Sequence, residues 1–144
     1  MDNLITKLKP YAPLFIRLGL AAVFLLFGYH KLSEPEQARA EIQLLLDLGI
    51  GSAAAINFYV GLFEIIVGVS FTIGYGIKYT APLAALSLFG ILGAILRSGV
   101  TIDPNLYRDL GLIGAALSLW LTGAGPLSLD EKRGVSADAP QAQT

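Results

Sequence analysis

The sequence predicts an all-α protein, an integral membrane bundle of four transmembrane helices with a short amphipathic helix in the first extramembrane loop. Of the 144 residues, 54% are hydrophobic, and the mean hydropathy is +0.63. Only 15% are charged, well below the roughly 25% of an ordinary soluble domain. The apolar residues also collect into four runs, each near the length of about 20 residues that a helix needs to cross a bilayer.

Composition excludes several classes of function. A net charge of −1 provides no basic surface for nucleic acid. The chain has no cysteine, which excludes disulfides and cysteine-ligated metals. The single histidine, His30, leaves a haem without an obvious second axial ligand. We therefore expect no metal site, and no cofactor-binding motif is evident.

The first predicted span covers residues 13–29 and is interrupted by Arg17. Lys7 and Lys9 precede it, as in the front part of a signal peptide. The sequence after it, Gly28-Tyr29-His30-Lys31, offers no small-x-small cleavage site. We therefore predict an uncleaved first span, with Pro13 in its first turn, where a missing N–H is tolerated.

Three further spans are predicted at residues 53–75, 81–96 and 106–123. The second carries Glu64 near its middle. The third and fourth are short, but basic side chains flanking the third can extend to the membrane surface. Trp120, near the end of the fourth, suits a membrane interface.

The loop at residues 32–52 contains a helical pattern. A start signal lies at residues 33–36, a stop signal at Gly49, and Ile42, Leu45 and Leu46 form an apolar side. We expect a short amphipathic helix lying at the membrane surface; the alternative is a helix packed on the ends of the bundle. Residues 1–130 then form one transmembrane domain, and residues 131–144 a polar, disordered tail.

The distribution of basic residues predicts the orientation. One side of the membrane would hold Lys7, Lys9, Lys78, Lys132 and Arg133, and the other Lys31, Arg39, Arg97 and Arg108. The first group contains both termini and is the larger, so we expect both termini in the cytoplasm.

Small and polar residues recur at helical spacing in every span. In lipid the hydrophobic effect does not bring helices together, so helices associate through close packing. Small residues allow this close approach. We therefore expect these stripes to face inward. Their members include Ala21 and Gly28 in the first span, Gly61 and Gly68 in the second, Ser87 and Gly90 in the third, and Gly111 and Ala115 in the fourth.

Glu64 requires a specific explanation. It lies about eleven residues, or ~16 Å, from either end of its span, and a charge at the bilayer centre costs at least ~2.5 kcal/mol. We expect Arg17 or Arg108 to pair with it and hold it ionised; the alternative is a protonated carboxyl. In the alternative interpretation, in which the buried charges are purely structural, a second ion pair joins Arg97 and Asp109.

These charges predict an outward-facing polar cavity with Glu64 at its floor. Such a cavity suits an anionic or carbonyl-bearing ligand, or the head group of a lipid or a quinone. The alternative is a set of ion pairs that fixes the helix register. No residue is assigned a catalytic role. The candidate cavity residues are Glu64, Arg108, Asp109, Arg97, His30, Lys31, Asn57 and Arg17.

Several motifs are shared with a known family. They are the run from Arg17 to Leu32, Gly61-Leu62-Phe63-Glu64 with Gly68 and Gly74, the Arg108-Asp109 pair, and the closing Gly123-Ala124-Gly125-Pro126-Leu127-Ser128-Leu129-Asp130. Together with four spans, they resemble the DoxX family of small bacterial and archaeal membrane proteins, over residues 14–130.

The resemblance implies a multi-pass protein of a bacterial or archaeal plasma membrane. The family name comes from a subunit associated with quinone-linked oxidation of sulfur compounds. The resemblance therefore implies an accessory subunit of a quinone-linked redox system. Its expected partners are the lipid bilayer, a quinone and a redox partner subunit, and it could form homo-oligomers. Without a catalytic motif in the chain, enzymatic activity stays open. The alternative is a non-enzymatic assembly or chaperone-like protein whose buried charges are structural.

Overall fold

The computed structural model describes residues 2–35, 39–97 and 104–134, and these are helical with no strand. The all-α prediction is confirmed. Four helices are long, and the others are short segments at the ends or in loops. The elements are α1 (Asp2–Leu8), a 3₁₀ turn (Lys9–Tyr11), α2 (Ala12–Ser33), α3 (Arg39–Asp47), α4 (Ala53–Ile73), α5 (Ile77–Arg97), α6 (Pro104–Thr122) and α7 (Leu129–Lys132).

Two helical segments in the described ranges are long and apolar enough to cross a membrane. They are Asn3–Ser33, which joins α1, the 3₁₀ turn and α2, and Ala53–Ile73, which is α4. Ile77–Gly93 of α5 is a shorter apolar stretch. The long helices lie where the four spans are predicted, but membrane crossing by all four stays a prediction.

Local sequence sets the ends of α4. Ser52 lies before the helix in an extended conformation, and its side chain accepts a hydrogen bond from the backbone N–H of Ala55, which satisfies one of the free donors of the first turn. Gly74 ends the helix with a φ of +67°, a conformation that a residue without a Cβ adopts at little cost. The chain then turns directly into α5.

The helices pack as two antiparallel pairs, α2 with α4 and α5 with α6, which contact each other through α2–α6 and α4–α5. Phe24 and Phe71 meet edge-to-face in the core, with ring centroids 5.8 Å apart. On α5, the small residues Ala81, Ala84 and Ala85 are buried in the middle of the core, between the larger buried residues Ile77 and Leu88. This arrangement leaves each helix with one inward and one outward face.

Glycines explain the close approach of α2 and α4. A Cβ added at Gly28 would lie 2.7 Å from the backbone oxygen of Gly61, and one at Gly68 would lie 2.7 Å from Cγ of Leu25. The inward prediction is wrong for Gly90 and Gly111, which are exposed and have no neighbouring atom within 4 Å of an added Cβ. Their helices instead turn alanine and branched side chains inward.

Substituting Gly28 by alanine will destabilise the protein by about 1–3 kcal/mol, the usual effect of overpacking a tight contact. The new methyl group would meet backbone atoms of Gly61 and Ile65, and backbone atoms cannot rotate away as a side-chain end can. Gly19→Ala on the same helix is the control, because nothing lies within 4 Å there. Thermal unfolding in detergent measures both; equal melting temperatures would refute the α2–α4 contact.

The loop helix α3 packs against the protein. Ile42 is 1% exposed, and α3 contacts α4 and α5. The stop signal is confirmed, since Gly49 follows the helix with a φ of +69°. The helix is therefore packed on the end of the bundle, and its predicted position at the membrane surface stays a prediction. Residues 36–38 of the predicted start lie outside the described ranges.

The domain boundary predicted at residue 130 stays a prediction; the short helix α7 (Leu129–Lys132) spans this position. Ser128 caps the short helix α7 by accepting a hydrogen bond from the backbone N–H of Glu131, so the ordered chain continues beyond Asp130. A serine followed by acidic residues in the first turn, here Ser128 before Asp130 and Glu131, is a typical helix start that indicates this helix in the sequence. Residues 135–144, where most of the predicted tail falls, lie outside the described part of the chain.

Candidate ligand-binding site

A buried ion pair joins α2 and α4. Nζ of Lys31 lies 3.0 Å from Oε1 of Glu64, and the two side chains are only 2% and 9% exposed. We call this part of the bundle the Lys31 end; it holds the end of α2 and the starts of α4 and α6. Burial makes this contact stronger than a surface ion pair, because water screens it little.

The expectation that Arg17 or Arg108 pairs with Glu64 is wrong. Helix side chains lean toward their own N-termini. Because α2 and α4 are antiparallel, the Lys31 side chain leans toward the middle of the bundle and the Glu64 side chain leans toward the Lys31 end. The two side chains therefore meet although their Cα atoms lie at different heights along the bundle axis. Arg17 lies beside Gly74, ten residues or ~15 Å further along α4 than Glu64.

Asp109 pairs with its neighbour Arg108, whereas the structural interpretation of the sequence pairs it with Arg97. Nε and Nη2 of Arg108 both lie 3.0 Å from Oδ1 of Asp109. The Asp109 side chain is 6% exposed and the Arg108 side chain 43%. Arg108 thus covers a buried carboxylate from the surface of the protein.

The ring of Phe27 links the two ion pairs. Cζ of Arg108 lies 4.6 Å from the ring centroid, and Nζ of Lys31 lies 5.4 Å from it. Both distances are within the range for cation–π attraction. Four charged side chains from α2, α4 and α6 therefore converge around one aromatic residue that the sequence interpretation did not single out.

A cavity of about 170 Å³ opens beside this cluster. Its polar groups come from Lys31 and Asn57, and it is bounded by the apolar surfaces of Leu32, Pro35, Ala54 and Phe58. A water molecule occupies about 30 Å³ of liquid, so the cavity accepts a single small ring and not a whole amphiphile. Glu64 is not among its lining residues, and it supports the cavity through Lys31.

Asn57 is held rigidly at the cavity. It is 1% exposed, and its Nδ2 donates a 2.8 Å hydrogen bond to the backbone oxygen of Pro35. Its Oδ1 is buried and has no hydrogen-bond partner in the described ranges. A buried acceptor left without a donor costs about 1–3 kcal/mol, so this oxygen is an unsatisfied polar atom inside the bundle.

Of the other predicted site residues, His30 lies apart from the cavity. His30 is on the outer side of α2, where Nε2 is 3.7 Å from the exposed carboxylate of Glu34. Arg97 ends α5, but its side chain lies outside the described part of the structure. No cluster of three or more histidine or acidic side chains that could hold a metal ion occurs among the described residues.

Arg17 belongs to the opposite end of the bundle, which we call the Arg17 end. It is 1% exposed. Nη1 donates to the backbone oxygen of Ala124 at 2.8 Å, and Nη2 to that of Leu127 at 3.0 Å. Leu127 has a φ of +60°, an unusual conformation for a branched residue, which turns its carbonyl toward the guanidinium.

Asp130 completes this end. Its two carboxylate oxygens accept hydrogen bonds from the backbone N–H groups of Gly76 and Ile77, at 2.8 and 2.9 Å. The carboxylate thus caps the start of α5, where the helix dipole favours negative charge. It also interacts electrostatically with Arg17. Hydrogen bonds of Arg17 and Asp130 therefore connect the C-terminal loop to α2 and to the α4–α5 turn, and they stabilise this end of the bundle.

The family model described as DoxX matches residues 12–97. The chain is similar to inner membrane protein YphA of Escherichia coli (strain K12), with 25% identity over 134 residues that cover 86% of this chain and 91% of the relative. No solved structure matches.

The two apolar helices of membrane-crossing length, together with the similarity to an inner membrane protein, identify the chain as a membrane protein. Because the family model covers more than half of its residues, the chain belongs to the DoxX family.

Proposed function

We propose that this protein is an accessory membrane subunit of a quinone-linked redox system, and that the cavity at the Lys31 end receives the quinone head group. The observation that carries the proposal is the cavity between Lys31 and Asn57, which combines a buried cation, an amide and apolar walls. A quinone ring has the matching surface, with two flat apolar faces and carbonyl oxygens at its edge. Lys31 would donate to one carbonyl, and Phe58 and Leu32 would contact the ring.

The proposal includes four membrane crossings. Exposed aromatic residues at both ends of the bundle support it. Tyr29, Tyr59 and Tyr107 are exposed at the Lys31 end, and Tyr11, Tyr75, Tyr79 and Trp120 at the Arg17 end. Aromatic side chains gather at both interfaces of a bilayer. Tyr11 and Tyr29 are separated by 18 residues, or ~27 Å, close to the roughly 30 Å of hydrocarbon in a membrane.

The same aromatic positions support a cavity that lies near one interface of the membrane. Lys31 lies just beyond Tyr29 in the sequence, and Asn57 lies just before Tyr59. The ion pair is then nearer to one membrane surface than to mid-membrane, which lowers the cost of its charges. A quinone head group could enter there while its isoprenoid tail stays in lipid, consistent with the small volume of the cavity.

The proposed orientation has both termini in the cytoplasm and the cavity facing outward, as the basic residues favour. Cysteines introduced at Leu48, next to α3, and at Arg133 should react with an impermeant reagent from opposite membrane faces. The natural chain has no cysteine, so it gives no background. Labelling of both positions from the same face would refute an arrangement with four crossings.

Copurification tests the function. Protein extracted in mild detergent should carry about one quinone per chain, measured by mass spectrometry. Ala54→Phe, which fills the cavity from its apolar wall, should remove the quinone. Leu62→Phe on an exposed side of the same helix should not. Equal quinone content in both variants would show that the cavity is not the binding site.

One observation favours a second function, assembly of other membrane proteins. Gly90 and Gly93 of α5 and Gly111 and Gly114 of α6 are exposed with open space around them. Helices of another membrane protein could approach such surfaces closely. This role predicts a stable heterologous membrane protein, and no quinone, in the purified sample.

A further inference from the structure

We propose that the Arg17 end carries a binding site for the head group of an anionic phospholipid. The site is a surface that we call the basic patch. Its members are all exposed, and they are Tyr75, Lys78, Tyr79, Lys132 and Arg133. The basic patch lies at the end of the bundle opposite the cavity, so its lipid and the quinone are independent ligands.

Hydrogen bonds of Asp130 bring the members of the basic patch together from distant parts of the chain. The carboxylate accepts from two backbone N–H groups at the start of α5, at 2.8 and 2.9 Å. The backbone N–H of Asp130 donates to the backbone oxygen of Gly74 at 3.0 Å. Lys78 lies in the first turn of α5, and Lys132 and Arg133 follow shortly after Asp130. Cations from both segments therefore share one surface.

The Arg133 guanidinium is held in place by an aromatic ring. Its Cζ lies 5.0 Å from the ring centroid of Tyr75, within the range for cation–π attraction. Among the described residues, no carboxylate forms an ion pair with this guanidinium. Contact with a ring satisfies none of the N–H donors, and their fork matches the geometry of a phosphate group. Arg133 is therefore positioned to bind one.

Acidic side chains of α7 do not cancel the charge of the basic patch. Asp130 is 5% exposed, and both of its oxygens accept hydrogen bonds from the start of α5. Glu131 is exposed and accepts a hydrogen bond from the backbone of Leu127. The three cations of the basic patch thus outnumber the one exposed carboxylate of α7, and this excess favours a ligand with a net negative charge.

The surroundings of the basic patch favour a lipid over a free phosphate ion. Tyr75 lies just beyond the end of α4, a helix long and apolar enough to cross a membrane. Exposed tyrosines are typical of the interface where phospholipid head groups lie. Leu83 and Leu86 continue the exposed face of Tyr79 along α5, and they offer an apolar surface to acyl chains beneath a bound head group.

Native mass spectrometry of the full chain in detergent tests the inference. Phosphatidylglycerol should bind at least about fivefold more tightly than phosphatidylcholine with the same acyl chains, since each basic side chain contributes about 1 kcal/mol toward an anionic lipid. Arg133→Gln should weaken phosphatidylglycerol binding about fivefold and leave phosphatidylcholine binding unchanged. Tyr75→Leu keeps every charge but removes the ring, and it should weaken phosphatidylglycerol binding about two- to fivefold. Tyr75→Phe keeps the ring and should bind as the wild type does.

Lys9→Gln separates a built site from the general charge of this end. It removes one exposed charge from the 3₁₀ turn and should have little effect. A loss as large as that of Arg133→Gln would overturn the proposal, because any cation at this end would then serve. Equal affinity of the wild type for the two lipids, or equal binding by Tyr75→Leu and Tyr75→Phe, would also overturn it. Displacement of phosphatidylglycerol by inorganic phosphate would assign the basic patch to a soluble ligand and contradict the lipid.

Discussion

Replacing Glu64 by glutamine will lower the free energy of unfolding by about 3–5 kcal/mol, the usual loss when one partner of a buried ion pair is removed. The substitution preserves size but removes the negative charge that lies 3.0 Å from Nζ of the buried Lys31. Reversible unfolding in mixed micelles, followed by circular dichroism, measures the change.

Two further variants test whether Lys31 is the partner of Glu64. Lys31→Met combined with Glu64→Leu should recover most of the lost stability, because an apolar pair of similar volume often replaces a buried ion pair without loss. Glu34→Gln, an exposed carboxylate beside His30, is the control and should have little effect. A rescue of Glu64→Gln by Arg17→Gln or Arg108→Gln, and not by a change at Lys31, would contradict the structure.

Replacing Asp130 by alanine will have the second largest effect, a loss of about 3 kcal/mol. Two backbone N–H groups at the start of α5 lose their acceptor, and hydrogen bonds to a charged group contribute about 1.5–3 kcal/mol each. The buried Arg17 also loses its nearby negative charge. The same unfolding measurement detects the change.

Glu131→Ala provides the matched control. Glu131 is the next acidic residue and is exposed, with one hydrogen bond from the backbone of Leu127. Its loss should be far smaller than that of Asp130. If the two alanine variants unfold at the same denaturant concentration, the C-terminal loop does not stabilise the Arg17 end as the structure indicates.

The positions of the long helices could be predicted because apolar length and end signals are local properties. The predicted stop at Gly49, for example, depends only on its neighbours. The partner of Glu64 could not be predicted in this way. It depends on the register between α2 and α4, which the close approach of Gly28 and Gly61 sets, and on the direction in which Lys31 leans. A count of basic residues carries neither kind of information.

The site was therefore predicted in part. Lys31, Asn57, Arg108 and Asp109 do gather at one end, because each lies near the end of α2 or in the first part of α4 or α6. Glu64 lies near the middle of α4 and joins them through Lys31. Arg17 was placed with them only because it is charged and lies within an apolar run. The prediction that the small-residue stripes face inward was wrong for the glycines of α5 and α6 for a related reason. Glycine disturbs neither a lipid-facing nor a protein-facing surface, so spacing alone does not show which face is buried.

Photolabelling is the most direct test of the claim that the cavity binds a quinone head group. A quinone with an aryl azide on its ring is irradiated with the protein in nanodiscs, and the modified peptides are mapped by mass spectrometry. The structure predicts label on residues 31–35 and 54–58, lost when excess ubiquinone-1 is present. Label that is spread over the exposed faces of α5 and α6, or that excess ubiquinone-1 does not displace, would contradict it.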